Sequence, residues 1–137
     1  MELTCAMLAA YAELAQDGKL SMISGDLDTV HVVGTFPATA GTPLYLVVKL
    51  VFPANECGQN YQCRIELIRP DGDILEAPEN VITPPAPAPN FTFTKVGFIL
   101  VFFGITFPSA GEYRIRVLID GVEIKSLPLR LDAAPAN

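Results

Sequence analysis

Residues 114–131 read RIRVLIDGVEIKSLPLRL, and this stretch indicates the fold. Apolar side chains recur at every second position from Ile115 to Ile119, a period of two that places them on one face of a β-strand. Asp120-Gly121 follows directly, and both residues tolerate the positive φ of a two-residue hairpin turn. Val122 to Leu131 then returns as the last strand. The stretch therefore predicts an antiparallel hairpin in which Gly121 has a structural role.

Similar turn signals divide the rest of the chain. They stand at 17–18, 41–43, 70–73 and 108–111, and short runs rich in Val, Ile, Leu, Phe and Thr lie between them. Cys63 to Ile68 alternates as a strand, and Asp71-Gly72 turns it back toward Ile74 and Leu75. Short strands at close, regular spacing are typical of an antiparallel sandwich and not of strand–helix–strand units. We expect an all-β sandwich.

Two apolar runs do not alternate. Leu44 to Phe52 is apolar on both faces except at Lys49, and Gly97 to Phe107 is apolar throughout. Strands of this kind are usually central and covered on both sides. We expect both to lie inside a sheet.

The N-terminal segment has two interpretations. Leu3, Met7, Tyr11 and Leu14 stand at helical spacing in an Ala-rich stretch, and Gly18 is suited to end a helix. Local rules therefore favour a helix from Thr4 to Ala15. A strand over the same residues is the alternative.

The proline-rich segment from Ala77 to Pro89 is expected to be extended, with few backbone donors. It is either a ligand for a proline-recognition module or the crossover between two sheets. No arginine flanks it as such a ligand would require, so we favour the crossover.

Length and composition suit one soluble domain. The chain has 137 residues, which fits a single domain over residues 1–132 with a loose tail over 133–137. The formal net charge of -6 argues against binding to nucleic acid and to anionic membranes. The longest apolar run, 96–107, is well short of the roughly 20 residues of a spanning helix. The first residues lack the basic start of a signal peptide, so we expect a cytoplasmic protein.

The three cysteines do not form a recognisable framework. Cys57 and Cys63 flank a polar link and could pair in an oxidising compartment, but two reduced thiols suit a cytoplasmic protein better. The spacing is wrong for a zinc knuckle, and His31 is the only histidine.

Several motifs together resemble a bacterial family of small uncharacterised β-sandwich proteins. They cover nearly the whole chain and are Leu3-Thr4-x-Ala6-x-Leu8-Ala9-x-Tyr11-Ala12, Asp17-Gly18-Lys19-Leu20, Ile23-x-Gly25-x-Leu27-Asp28, Phe36-Pro37, Glu66-Leu67-x-x-Pro70-Asp71-Gly72 and Phe107-Pro108-x-x-Gly111-x-Tyr113-Arg114. The resemblance implies an immunoglobulin-like sandwich whose first segment is a strand, and on that ground we favour the strand over the helix for the N-terminal segment. It implies no activity and no catalytic residues.

Gly111-Glu112-Tyr113 is similar to a tyrosine corner, in which a Tyr hydroxyl bonds to backbone a few residues upstream. We assign Gly111 and Tyr113 a structural role.

No catalytic constellation stands out. The sequence lacks a nucleophile elbow, a phosphate-binding glycine loop and a His-Glu-x-x-His motif, so we expect no enzyme and no cofactor. Loop carboxylates at one end of a sandwich can bind calcium. The weak candidates are Asp26, Asp28, Asp71 and Asp73, with Glu112 and His31 nearby. The alternative is that Asp71 and Asp73 only build a turn.

Apolar residues exceed what one core can hold if their strands alternate. The surplus is drawn from Val47, Val51, Phe98, Leu100, Val101, Phe102 and Phe103. Either another molecule covers them, as in a homodimer, or the proline-rich crossover or the N-terminal segment does so. We expect an interface at Val47, Val51, Phe98, Leu100 and Phe102.

The sequence thus favours a non-enzymatic interaction or structural module that associates with itself, or with another protein, through an apolar sheet face. The alternative is a module that binds a metal ion or small ligand at one loop-bearing end. A small hydrolase ranks last.

Overall fold

The structure is a computed structural model that describes residues 1–16, 19–33, 35–39 and 43–134. One short 3-10 helix, Ala54–Glu56, accompanies the strands, and the described residues include no helix suited to crossing a membrane. The strands are β1 (Glu2–Leu14), β2 (Leu20–Gly25), β3 (Thr29–Val33), β4 (Ala38–Thr39), β5 (Leu44–Pro53), β6 (Tyr61–Ile68), β7 (Ile74–Glu76), β8 (Glu79–Ile82), β9 (Phe93–Phe102), β10 (Thr106–Phe107), β11 (Gly111–Ile119) and β12 (Val122–Ala134).

Two large sheets form the layers. Sheet I has the order β2-β1-β5-β9, and sheet II has the order β3-β12-β11-β6-β7, with β8 also paired to β6. The antiparallel triplets β1-β5-β9 and β6-β11-β12 correspond to the A-B-E and C-F-G strands of an immunoglobulin sandwich. The predicted all-β, immunoglobulin-like antiparallel sandwich is confirmed.

The hairpin predicted between β11 and β12 is present. Ile119 pairs with Val122, and Asp120 and Gly121 between them have φ values of 50° and 81°. The Asp120 carboxylate also accepts a 2.8 Å hydrogen bond from the backbone N–H of Gln62, which ties the turn to β6.

Strand β6 has the predicted alternation. Cys63, Ile65 and Leu67 lie in the core between the sheets. Its turn closes through a 2.8 Å hydrogen bond from the backbone N–H of Arg69 to the carbonyl of Asp73, and Gly72 has a φ of 95°.

The N-terminal segment is a strand, as the resemblance implies, and not the helix that local rules favour. Residues 2–9 of β1 pair with β5, and residues 9–14 pair with β2. Two partner strands satisfy the backbone of this segment, and such tertiary pairing overrides the weak helical propensity of its alanines.

The two apolar runs differ in position. β5 lies between β1 and β9, as predicted for a central strand. The prediction for Gly97 to Phe107 is wrong, because β9 is the last strand of sheet I and ends at Phe102. Gly104 follows with a φ of 69°, and Thr106-Phe107 pairs instead with β4 in a separate two-stranded sheet.

The proline-rich segment is only partly extended crossover. Glu79–Ile82 forms β8 and pairs with β6, because this stretch contains no proline and can complete a ladder. Residues 83–92 then pass from sheet II to sheet I. The carbonyl of Pro84 accepts a 2.7 Å hydrogen bond from the backbone N–H of Gly58, and that of Pro85 accepts one of 2.8 Å from the Thr94 hydroxyl.

The C-terminal boundary also needs a correction. β12 continues to Ala134, two residues beyond the expected domain end, because its last residues pair in parallel with β3. Residues 135–137 of the expected tail lie outside the described residues.

Candidate functional site at the open side of the sandwich

One side of the sandwich lacks a closing strand in the described part of the chain. Here the edge strand β9 of sheet I faces β7 and β8 at the margin of sheet II. We call the surface between β9 and the β7–β8 margin the open side.

Burial along β9 shows that this side is open. In the register of sheet I, Val48 is opposite Phe98 and Leu46 is opposite Leu100. Val48 and Leu46 are fully buried, whereas Phe98 and Leu100 face the same core but are only half-buried. The difference arises because, among the described residues, β9 has a neighbouring strand on one flank and none on the other.

Two depressions mark the open side. One of about 90 Å³ reaches down to Cys63 and Ile65 of the core and has Pro78, Phe98 and Leu100 in its walls. The other, of about 370 Å³, lies next to it, between Glu76 at the margin of sheet II and the end of β9. Together they form an interrupted groove beside β9.

Exposed apolar side chains cluster on this strand and its flanks. Phe103 is 75% exposed and Val101 is 45% exposed, and Phe93 and Phe91 stand at the other end of the strand. Lys95 is the only charged residue of β9. The margin of sheet II carries Glu76 and Glu79, and Glu79 pairs with Arg64 at 2.7 Å.

The residues predicted for an interface do not form one surface. Phe98, Leu100 and Phe102 point toward the core between the sheets, and Phe102 is buried. Val47 and Val51 lie on the opposite face of sheet I, which we call the outer face because it is turned away from sheet II. Alternation along β5 and β9 divides the set, so the predicted single face is wrong.

The chain itself covers much of this outer face. After Ala9, the second half of β1 and β2 form a hairpin that turns back over it. Ala12 of this hairpin is buried in one cluster with Val47, and the rings of Tyr11 and Tyr45 meet edge to face at 5.4 Å. The sequence suggests another molecule, the proline-rich crossover or the N-terminal segment as the cover of these residues. At Val47 the cover is the N-terminal segment.

The candidate metal ligands remain dispersed. Among the described residues, no group of three His, Cys, Asp or Glu side chains is placed to hold a metal ion. Asp71 pairs with Arg69 at 3.1 Å and accepts a 3.0 Å hydrogen bond from the backbone N–H of Asp73, as a turn-building residue does. Asp26 lies in the loop after β2 with a φ of 57°.

One small cavity brings together two carboxylates that the sequence suggests as candidates for metal binding or as their neighbours. Asp28 and Glu112 line a space of about 110 Å³, but Arg130 lines it as well. A guanidinium at this position disfavours a cation. The His31 backbone belongs to β3, and its side chain lies outside the described residues.

Gly111, Cys57 and Cys63, which also stand out in the sequence, lie in surroundings that indicate structural roles. The backbone of Gly111 has a φ of 138°, and a Cβ there would come within 3.0 Å of the Pro70 ring. Cys57 and Cys63 are both free thiols. Burial raises the pKa of the Cys63 thiol to about 11, so it is a poor nucleophile.

The open side is therefore suited to strand addition, in which a further β-strand pairs with the free edge of β9. An edge strand presents a row of backbone N–H and C=O groups that a further strand can pair with. Sequence reasoning identified the apolar run but not its position at an edge, since period and composition are the same for buried and edge strands.

Comparison with known proteins identifies the family whose model matches the chain. Residues 4–132 match the family described as "Family of unknown function (DUF6941)". No curated protein matches the chain. Among solved structures, the chain is similar to the CARDB domain of the PF1109 protein from Pyrococcus furiosus, which was crystallised in complex with di-metal ions. The identity is 14%, the match covers 77% of this chain and 81% of that one, and the TM-score is 0.39.

Proposed function

The chain belongs to DUF6941, a family of unknown function, and we propose that it is a non-enzymatic interaction module that binds a second copy of itself through the edge of β9. One observation carries this proposal. β9 is ten residues long, has one charged side chain and borders a groove, yet among the described residues it pairs with β5 only.

An edge of this kind is a liability in a monomer. Soluble proteins protect their edge strands with charges, prolines, bulges or short length, because an unprotected apolar edge pairs with other chains. β9 contains no proline and pairs with β5 in an unbroken register from Phe93 to Phe102. A defined partner that pairs with β9 prevents such nonspecific pairing.

A second copy suits the edge because β9 can pair with itself. Two antiparallel copies related by a two-fold axis at Phe98 would place Lys95 of each copy opposite Val101 of the other. The two lysines then lie at opposite ends of the new strand pair and do not repel each other. The resulting interface is isologous, as in most homodimers.

Exposed apolar area on β9 and directly after it supports the same partner. Burial of the exposed parts of Val101 and Phe103 adds roughly 25 cal/mol per Å² of apolar area removed from water.

The experiment is sedimentation velocity on the full chain over a range of concentrations, with Val101→Lys as the test variant. The wild type should sediment as a dimer at micromolar concentration, and Val101→Lys should shift it to a monomer, since a lysine blocks an edge. Val122→Lys is the matched control, because Val122 is also an exposed valine but lies at the β11–β12 turn. This control should remain dimeric.

Hydrogen exchange locates the contact. The backbone amides of 95–102 should exchange more slowly at high than at low protein concentration, and those of β2 should not. The proposal would be contradicted if the wild type were monomeric at every concentration. It would also be contradicted if Val122→Lys and Val101→Lys weakened the dimer equally. Phe102 is unsuitable for this test because it is buried, so a charge there would unfold the domain.

A further inference from the structure

A separate cavity on the outer face of sheet I gathers three of the chain's four lysines. Its volume is about 480 Å³, and Lys19, Lys49 and Lys95 line it together with Gln16 and Gly97. We propose that this cavity binds a small phosphate-type oxyanion. The proposal does not depend on self-association, because the cavity lies on a face of the sheet and not at the edge of β9.

The strand register holds two of these lysines on one face. Lys49 is directly opposite Gly97, and Lys95 is opposite Val51 two residues away along both strands. Side chains two residues apart on a strand point to the same face, so Lys49 and Lys95 are diagonal neighbours across β5 and β9. Gly97 has no side chain, and Leu14 of the hairpin packs against it.

The hairpin of β1 and β2 supplies the third lysine. Leu14, at the end of β1, lies against Gly97, where its methyl groups are 3.5 Å from the position that a Cβ would take. This contact fixes the hairpin end above the strand pair. It brings Gln16, which follows β1, and Lys19, which precedes β2, to the rim of the cavity.

The concentration of like charge points to an anion. The whole chain has a net charge of -6, yet the described residues that line this cavity carry three ammonium groups and no carboxylate. Lys19 and Lys49 each have a further interaction partner, so the inference rests on three positive groups around one space and not on any of them being unpaired. Lysine ammonium is a common point-charge ligand for phosphate, and the Gln16 amide offers a neutral donor.

The test is calorimetric titration of the full chain with inorganic phosphate at constant ionic strength. The wild type should bind, and Lys49→Gln and Lys95→Gln should each weaken binding by about tenfold or more, as expected for loss of one charge-assisted hydrogen bond. Lys125→Gln is the matched control, since Lys125 is an exposed lysine of β12 outside this cavity. It should bind phosphate as the wild type does.

Three results would overturn the proposal. They are no heat from the wild type up to about 10 mM phosphate, equal weakening by Lys125→Gln and Lys95→Gln, and equal affinity for acetate and phosphate. The last result would assign the cavity to carboxylates. Circular dichroism tests whether the half-buried position of Lys49 tolerates the change to Gln. If it does not, Lys95→Gln gives an independent measurement of phosphate binding, because Lys95 is exposed.

Discussion

The hydroxyl of Tyr113 donates a 2.7 Å hydrogen bond to the carbonyl oxygen of Ser109, four residues upstream. The Tyr113 side chain is 1% exposed, and its ring meets that of Phe107 edge to face at 5.2 Å. The bond therefore fixes the loop that enters β11 from inside the core, which is the arrangement of a tyrosine corner.

Tyr113→Phe should lower the free energy of unfolding by about 1–2 kcal/mol, because it removes a part-buried hydrogen bond and leaves the Ser109 carbonyl without this partner. Urea denaturation of both proteins measures the difference. Tyr11→Phe is the control, since the hydroxyl of Tyr11 bonds to Glu13 at an exposed position, and it should cost less than about 0.5 kcal/mol. Equal losses in the two variants would show that the corner contributes no more than a surface contact.

The sequence predicts best where the local signal has only one structural outcome. Asp120-Gly121 between two alternating runs fixes a hairpin, and the alternation from Cys63 to Leu67 fixes which side chains enter the core. Short-range sterics and the period of two determine both features, so one sequence is sufficient to derive them.

Long-range pairing is where sequence reasoning fails. Gly97 to Phe107 has the composition of a central strand, but the neighbours of a strand depend on residues far away in the chain. The same applies to Val47, because its cover comes from Ala12 through a hairpin that turns back over the sheet. Neither feature leaves a periodic signal. The first decides where the open side lies, and the second decides which part of the outer face is covered.

A buried carboxylate organises the exposed face of sheet II. Glu66 is 7% exposed, and it accepts hydrogen bonds of 3.0 Å from Arg64 and from Arg116. Arg64 also pairs with Glu79 and Arg116 with Glu123, both at 2.7 Å. Glu66 is thus the centre of an ion-pair network that joins β6, β8, β11 and β12.

Glu66→Gln should destabilise the domain by about 1–3 kcal/mol, because it removes the charge shared by two guanidinium groups while preserving size. Glu123→Gln, at the exposed end of the network, should cost less than about 1 kcal/mol. Thermal denaturation at low salt compares the two variants. A larger loss for Glu123→Gln would place the energetic centre of the network elsewhere.

The Cys63 thiol titrates far from its ordinary range because it is buried. Its side chain is 1% exposed on the core face of β6, and burial raises its pKa from 9.0 to about 11. The folded state therefore holds this proton more tightly than the unfolded state does. Stability from this group is complete below pH 9 and is lost as the pH rises through 9 toward 11.

The free energy of unfolding of the wild type, measured against that of Cys63→Ala, should accordingly fall by about 2–3 kcal/mol between pH 8 and pH 11. Urea denaturation at each pH gives this difference, and other titrating groups cancel because both proteins contain them. Cys57→Ala serves as the control, since it keeps Cys63 and should retain the pH dependence of the wild type. Parallel curves for the wild type and Cys63→Ala across this range would show that the thiol titrates equally in the folded and unfolded states, which is incompatible with its place in the core.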